Sequence, residues 1–307
     1  MAVSTNARKS GARFRAHGYV GLFVMLAAEA FLFSGNRVVG EWFTPIVWTG
    51  YVLLADALVA KVKGRSLLTT DRDELLVIVA VSVGAWWLFE FYNAPRFWKS
   101  DLELWWHYHN LVPNPYLRRV GYDWAFATIF PALFLTAELF AATVFRKWRH
   151  GLTLKFSKPT LYLFIFAGAL GALVPLFLVS KWLVPVVWLS YVFLLDPVNA
   201  LRGRPSIVGD LARGDWQRLA GLLASGAVCG VLWEFWNFWA TAKWTYTVPY
   251  LGDVKIFEMP VLGYLGFPPF VVECWAIYVF CRSLLRPVRR MAPKEEALIW
   301  ASPERGG

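Results

Sequence analysis

The sequence predicts an all-α, polytopic transmembrane bundle of about eight spans, built as two parallel four-helix repeats with both termini in the cytoplasm. Three observations lead there. The 307 residues are 58% hydrophobic and only 17% charged, with a mean hydropathy of +0.46, which is too apolar for one soluble domain. The apolar residues come in runs close to the roughly 20 that a spanning helix needs. One of those runs, with its flanks, occurs twice.

The spans read in order as 18–35, 42–61, 74–93, 122–145, 159–181, 182–200, 216–240 and 261–282. The first follows a basic lead and contains "AAEA", which imitates a signal peptide. It is retained as a span because it has a counterpart after residue 158. The chain then divides into a basic cytoplasmic tail (1–17), a first repeat (18–145), a basic linker (146–158), a second repeat (159–282) and a cytoplasmic tail (283–307).

Charge supports that orientation. Segments 1–17, 61–74, 146–158, 201–218 and the tail from Arg282 onward hold 23 of the 31 Lys and Arg residues. This is the positive-inside pattern, loop by loop. The net charge of +10 is therefore a topology signal and no nucleic-acid footprint. The location it implies is the bacterial cytoplasmic (inner) membrane, with membrane lipids as the surrounding partners.

The duplication is visible without gaps. "WFTPIVWTGYVLLAD" (42–56) and "WLVPVVWLSYVFLLD" (182–196) share eight of fifteen positions, among them Trp48/Trp188, Tyr51/Tyr191 and Asp56/Asp196. "LFEFYN" (88–93) then aligns with "LWEFWN" (232–237), pairing Glu90 with Glu234 and Asn93 with Asn237. Four spans per repeat give both repeats the same orientation, unlike the inverted repeats of many transporters.

Seven acids lie inside the predicted spans beyond their first two residues: Glu29, Asp56, Glu90, Glu138, Asp196, Glu234 and Glu273. A charge at mid-span costs about 2.5–3.5 kcal/mol on insertion scales, so each needs a reason. Asp56 and Asp196 lie near basic loop residues and read as ion pairs or helix-end caps. The Glu–Asn pairs have i,i+3 spacing and share a helix face. They read in two ways: an interfacial anchor within an aromatic belt, or an acid–base pair in an aromatic pocket. On the second reading Glu234, Glu90, Asn237 and Asn93 are the candidate catalytic residues. Trp233, Trp236, Trp87, Tyr92, Tyr246 and Glu258 are then the candidate substrate-binding residues.

The loop 95–124 contains His107 and His109, with Asp101 and Glu103 nearby. Two histidines without a third fixed ligand do not define a metal site, so the segment reads as interfacial, and no metal is assigned. No Walker A loop, GxGxxG, HExxH or paired Asp-rich motif occurs, so no cofactor is assigned. Gly226/Gly230 and Gly168/Ala172 have the spacing of close helix contacts.

"LWEFWNFWATAKWTYTVP" followed by "FEMPVLGYLGFPPFVVE" resembles a family of bacterial polytopic membrane proteins of uncharacterised activity. The chain is also similar to lycopene-cyclase domains, small duplicated membrane modules with a W-x-Y-x-P stretch before a Pro-Glu-Glu-aromatic helix. Trp244-Thr245-Tyr246-Thr247-Val248-Pro249 approximates the first element, and Glu258-Met259-Pro260 reverses part of the second. The resemblance implies a lipophilic small-molecule substrate. The leading expectation is an intramembrane enzyme acting on a lipid or isoprenoid by acid–base chemistry. The alternatives are a proton-coupled transporter and a non-catalytic binding or assembly subunit.

Overall fold

Among the described residues, eight helices of the structure, a computed structural model, are long and apolar enough to cross a membrane. Residues 14–94, 105–178, 180–247, 251–285 and 299–300 are described. Residues 1–13 of the basic tail, Asp101 and Glu103, Val248 and Pro249, and most of the segment 283–307 lie outside them. The chain is a multi-pass integral membrane protein with an all-α bundle fold.

The helices are α1 (Ala16–Phe33), α2 (Arg37–Glu41), α3 (Phe43–Lys63), α4 (Arg72–Asn93), α5 (Pro115–Ala142), α6 (Lys158–Phe177), α7 (Val184–Leu201), α8 (Ile207–Ala212), α9 (Gln217–Trp239) and α10 (Phe267–Leu285). Helices α2 and α8 are short connectors, and the other eight are the spans. Short 3₁₀ turns lead into α7 and α10. Helix α5 begins seven residues before the predicted 122. Asn114 caps it by accepting from the Tyr116 and Leu117 amides, and Pro115 occupies the first turn, where its missing N–H is no loss.

Two strand pairs complete the fold. β1 (Trp106–His109) pairs antiparallel with β2 (Lys243–Tyr246), and β3 (Lys255–Ile256) with β4 (Met259–Pro260). The first pair joins the loop after α4 to the loop after α9, regions far apart in sequence.

Helix α1 packs on α3, and α6 packs on α7. Helices α3, α4 and α9 surround α5, while α7, α9 and α4 surround α10. Burial follows this arrangement: 67% of the apolar window of α5 and 61% of that of α10 are buried, against 17% for α1 and 22% for α6. The two peripheral helices turn Phe23, Phe33, Phe166 and Phe177 outward, a surface suited to lipid. Small residues permit the close approaches. A Cβ at Gly168 would lie 2.3 Å from the Leu194 amide nitrogen, and one at Gly226 would lie 2.4 Å from the Phe267 carbonyl.

The acids outside the Glu–Asn pairs tie elements together. Asp56 accepts from the Leu67 amide at 2.7 Å and the Ser66 hydroxyl at 2.5 Å, and faces His17 at 3.0 Å. Asp196 accepts from the Ile207 and Val208 amides at 2.8 and 2.9 Å. Both fix the loop that follows their helix. Glu138 meets Lys63 at 3.3 Å and accepts from the Ile299 amide at 2.9 Å. Ile299 and Trp300 are buried in the core. Glu273 accepts from the Tyr191 amide at 3.0 Å, joining α10 to α7.

Candidate functional site

Glu234 lies near the end of α9, with Asn237 one turn further on. Beyond Trp239 the chain leaves the helix and folds back as β2. Asn237 fixes that return: its Oδ1 accepts from the Trp244 amide at 2.9 Å, and its Nδ2 donates to the Trp244 carbonyl at 2.8 Å. The anchored strand places the Tyr246 hydroxyl on Glu234, donating to Oε1 at 2.6 Å. Trp244 Nε1 donates to the same phenol oxygen at 2.5 Å.

The first half of the chain makes the same arrangement. Asn93 Oδ1 accepts from the Trp105 and Trp106 amides at 2.8 and 3.2 Å, and Nδ2 donates to the Trp106 carbonyl at 2.8 Å. Tyr108 then donates to Glu90 Oε1 at 2.5 Å. Two indoles, Trp86 at 3.0 Å and Trp106 at 3.2 Å, donate to that same oxygen. The surroundings of the two acids therefore differ. Glu90 is half-buried with three donors on one oxygen. Glu234 is fully buried, and among the described residues its Oε2 has no hydrogen-bond partner.

Pairing of β1 with β2 brings the two units together. Trp106 faces Tyr246 across the ladder, and Tyr108 faces Trp244. Residues two apart on a strand share a face, so these four aromatics form one surface of the ribbon. His107, His109, Thr245 and Thr247 form the other. There each histidine bonds a threonine across the strands, His107 to Thr247 at 2.7 Å and His109 to Thr245 at 2.8 Å. Among the described residues no group of three metal-ligating side chains occurs.

The aromatic surface of the ribbon roofs a cavity of about 120 Å³. That is about ten times what one water needs by the same measure. Seven tryptophans line it: Trp42, Trp48, Trp86, Trp106, Trp188, Trp233 and Trp244, with Tyr108, Tyr246, Phe89, Phe126 and Phe270. Among its lining residues only Glu41 and Arg118 are charged, and both are partly exposed. Trp86 packs 5.3 Å from Trp233, centroid to centroid, and Trp188 packs 5.4 Å from Phe270, so indole and benzene faces surround the space.

Both phenols at the roof are held well above the usual tyrosine range. Burial is the main cause, and the neighbouring carboxyl, Glu90 for Tyr108 and Glu234 for Tyr246, adds to it when ionised. They are protonated at neutral pH and act as hydrogen-bond donors.

Of the residues singled out by sequence, Trp233 and Tyr246 line the cavity, and Glu90 and Glu234 stand directly behind two of its phenols, Tyr108 and Tyr246. Asn93 and Asn237 hydrogen-bond the strand backbone, and Asn237 also lies within reach of the Glu234 carboxyl. The other four candidates lie elsewhere. Trp87 donates to Asp123 at 2.7 Å beneath the Arg119 guanidinium. Tyr92 bonds the Ala172 carbonyl at 2.7 Å and Tyr191 at 3.0 Å. Trp236 donates to Glu29 at 3.0 Å, tying α9 to α1, and Glu258 pairs with Lys243 at 2.6 Å.

Tyr108, Trp86, Trp106, Trp48 and Trp188 were not among those candidates. The signal for Tyr108 and Trp106 is "WHY" at 106–108 beside "WTY" at 244–246, a repeat of W-x-Y with opposite neighbours. Nothing in the local pattern marks Trp48 and Trp188 as lining, since tertiary packing alone turns them toward the cavity. No protein-family model, no curated protein and no solved structure matches this chain.

Proposed function

We propose that the protein is an intramembrane enzyme that moves a proton on an unsaturated lipid or isoprenoid. The observation that carries this is the pair of Tyr–Glu units, Tyr246–Glu234 and Tyr108–Glu90, set into the roof of an otherwise aromatic cavity. A phenol hydroxyl can rotate between the carboxyl behind it and the cavity in front. Each unit can therefore pass a proton in either direction while the carboxyl stays out of the cavity.

Glu234, fully buried with one donor on Oε1, is assigned as the acid. Its proton passes to the Tyr246 oxygen while the Tyr246 proton adds to one carbon of a double bond. The cation left on the adjacent carbon meets the faces of the surrounding tryptophans, where cation–π attraction contributes about 2 kcal/mol or more when desolvated. Glu90, with three donors, is assigned as the base. A proton leaves a neighbouring carbon for the Tyr108 oxygen as the Tyr108 proton passes to Glu90. One C–H bond forms and another breaks, so the double bond migrates or a ring closes without net oxidation. A proton moving back between the neighbouring phenols resets the pair.

The duplication, the membrane orientation and the bacterial inner-membrane location belong to the same reading. Matched Asn–strand and Tyr–Glu bonds support two parallel repeats, as does the packing of α1 on α3 and α6 on α7. The basic loops support placing the ribbon and its cavity toward the outer leaflet.

The test is deuterium uptake. Purified protein is incubated in heavy water with the lipid extract of its own cells, and the products are read by mass spectrometry. Wild type should introduce deuterium into an unsaturated lipid. Glu234→Gln and Glu90→Gln should reduce that at least about 100-fold while melting as wild type does. Well-folded Gln variants whose extracts match wild type would exclude the proposal.

A further inference from the structure

We infer that the molecule taken into the cavity is an anionic amphipath, its hydrocarbon among the tryptophans and its carboxylate or phosphate head on Arg118. This rests on the reading of the cavity as the substrate site, and it names the substrate class. The lining changes character along its length. It is uncharged except at one end, where Glu41 and Arg118 stand with Trp42, Leu111, Val112 and Gly121, all six partly exposed. The wet end therefore lies between α2, the chain following β1 and the first turns of α5.

Arg118 is built into that rim. Its Nε donates to the Val112 carbonyl at 3.0 Å and one terminal nitrogen donates to the Pro113 carbonyl at 3.0 Å. Two backbone carbonyls thus hold the guanidinium in place without neutralising it. Among the described residues Arg118 has no carboxylate within ion-pair distance. The nearby charges are otherwise matched: Glu41 pairs with Arg37 at 2.8 Å and Asp123 with Arg119 at 2.8 Å. Among the described residues, Arg37, Glu41, Arg118, Arg119 and Asp123 together leave one charge without an ion-pair partner, that of Arg118. A fixed guanidinium with unused N–H groups recognises carboxylate and phosphate oxygens. The other polar side chains of the lining, Thr44, Thr128, the tyrosines and the indoles, are neutral, so Arg118 is its one cationic group. A chain entering tail-first leaves its head at Arg118, and its interior reaches the ribbon.

The experiment uses a photoreactive diazirine fatty acid, its methyl ester and a diazirine long-chain alkyl phosphate, each with the full-length protein in nanodiscs. Labelled peptides are mapped by mass spectrometry. The acid and the phosphate should label cavity-lining peptides of α3 and α5 at about tenfold lower concentration than the ester. Arg118→Gln should erase that difference and leave ester labelling unchanged, and Arg118→Lys should keep most of it. Gly121→Phe, which fills the rim, should suppress labelling by all three. Equal labelling by acid and ester, or an acid preference that survives Arg118→Gln, overturns the proposal. If the acid preference holds but no deuterium is incorporated, the cavity binds anionic amphipaths and the catalytic reading fails. If deuterium is incorporated but acid and ester label alike, the head-group assignment fails and the proton transfer stands.

Discussion

Tyr108 and Tyr246 are where the sequence pattern becomes chemistry. Each links the cavity surface to its carboxyl through a hydroxyl that can both give and receive a proton, whereas the indoles on Glu90 donate only. Tyr108→Phe and Tyr246→Phe should each lower deuterium turnover about 100-fold without loss of the folded state, because a buried phenyl replaces a phenol of nearly equal volume. The asparagines behave differently. Asn237→Ala removes both partners of the Trp244 backbone at once. Buried groups left unpaired cost about 1–3 kcal/mol, so the expected result is a lower melting temperature, seen by scanning calorimetry in detergent. A variant that melts normally yet loses turnover would move Asn237 from strand anchor to the chemistry itself.

At the scale of the element, the two-stranded ribbon is a device for carrying paired side chains across the mouth of a helical bundle. Four residues per strand are too few to be stable alone. Three supports hold them: the Asn93 and Asn237 bonds, the Tyr–Glu bonds and the His–Thr bridges on the outer face. The phenols also set a pH limit. Both have folded-state values raised above the unfolded tyrosine value of about 10. Below that pH both states keep the proton, and the stabilisation is complete. Above it the unfolded chain loses protons that the folded chain retains, so stability falls as pH rises. Melting temperature should therefore drop between pH 9 and about 11, and the drop should be shallower in the Tyr108→Phe/Tyr246→Phe double variant. A double variant with an unchanged slope would assign the alkaline limit to other groups.

At the scale of the molecule, orientation is open to a direct check. On the proposed orientation the loop after β1 lies outside and the segment 146–158 inside. A membrane-impermeant maleimide should label Asn110→Cys in intact spheroplasts and Lys147→Cys only after lysis, in a background lacking the three native cysteines. Labelling in the reverse order would invert the topology and place the cavity mouth toward the cytoplasm. All eight spans were legible in the sequence because a bilayer imposes length and apolarity locally, residue by residue. The start of α5 was misplaced because capping by Asn114 and Pro115 lies outside the apolar run that marks a span. Glu90 and Glu234 were legible as expensive residues repeated in register, which is a one-dimensional signal. Trp87, Tyr92 and Trp236 were drawn into the site by proximity in sequence, yet helical rotation turns them to Asp123, Tyr191 and Glu29.

The sequence by itself determined the environment, the helices and the doubled Glu–Asn signature, since hydropathy, charge bias and identity at matched positions need no third dimension. Only the tertiary structure decided what the carboxylates face. Tyr108 and Glu90 are 18 residues apart, Tyr246 and Glu234 are 12 apart, and β1 pairs with β2 across four intervening spans. Which tryptophans enclose the cavity, and that Arg118 stands at its mouth, depends on the crossing of helices from both halves. The physical reason is that membrane insertion is written in local composition, whereas a site is written in long-range packing.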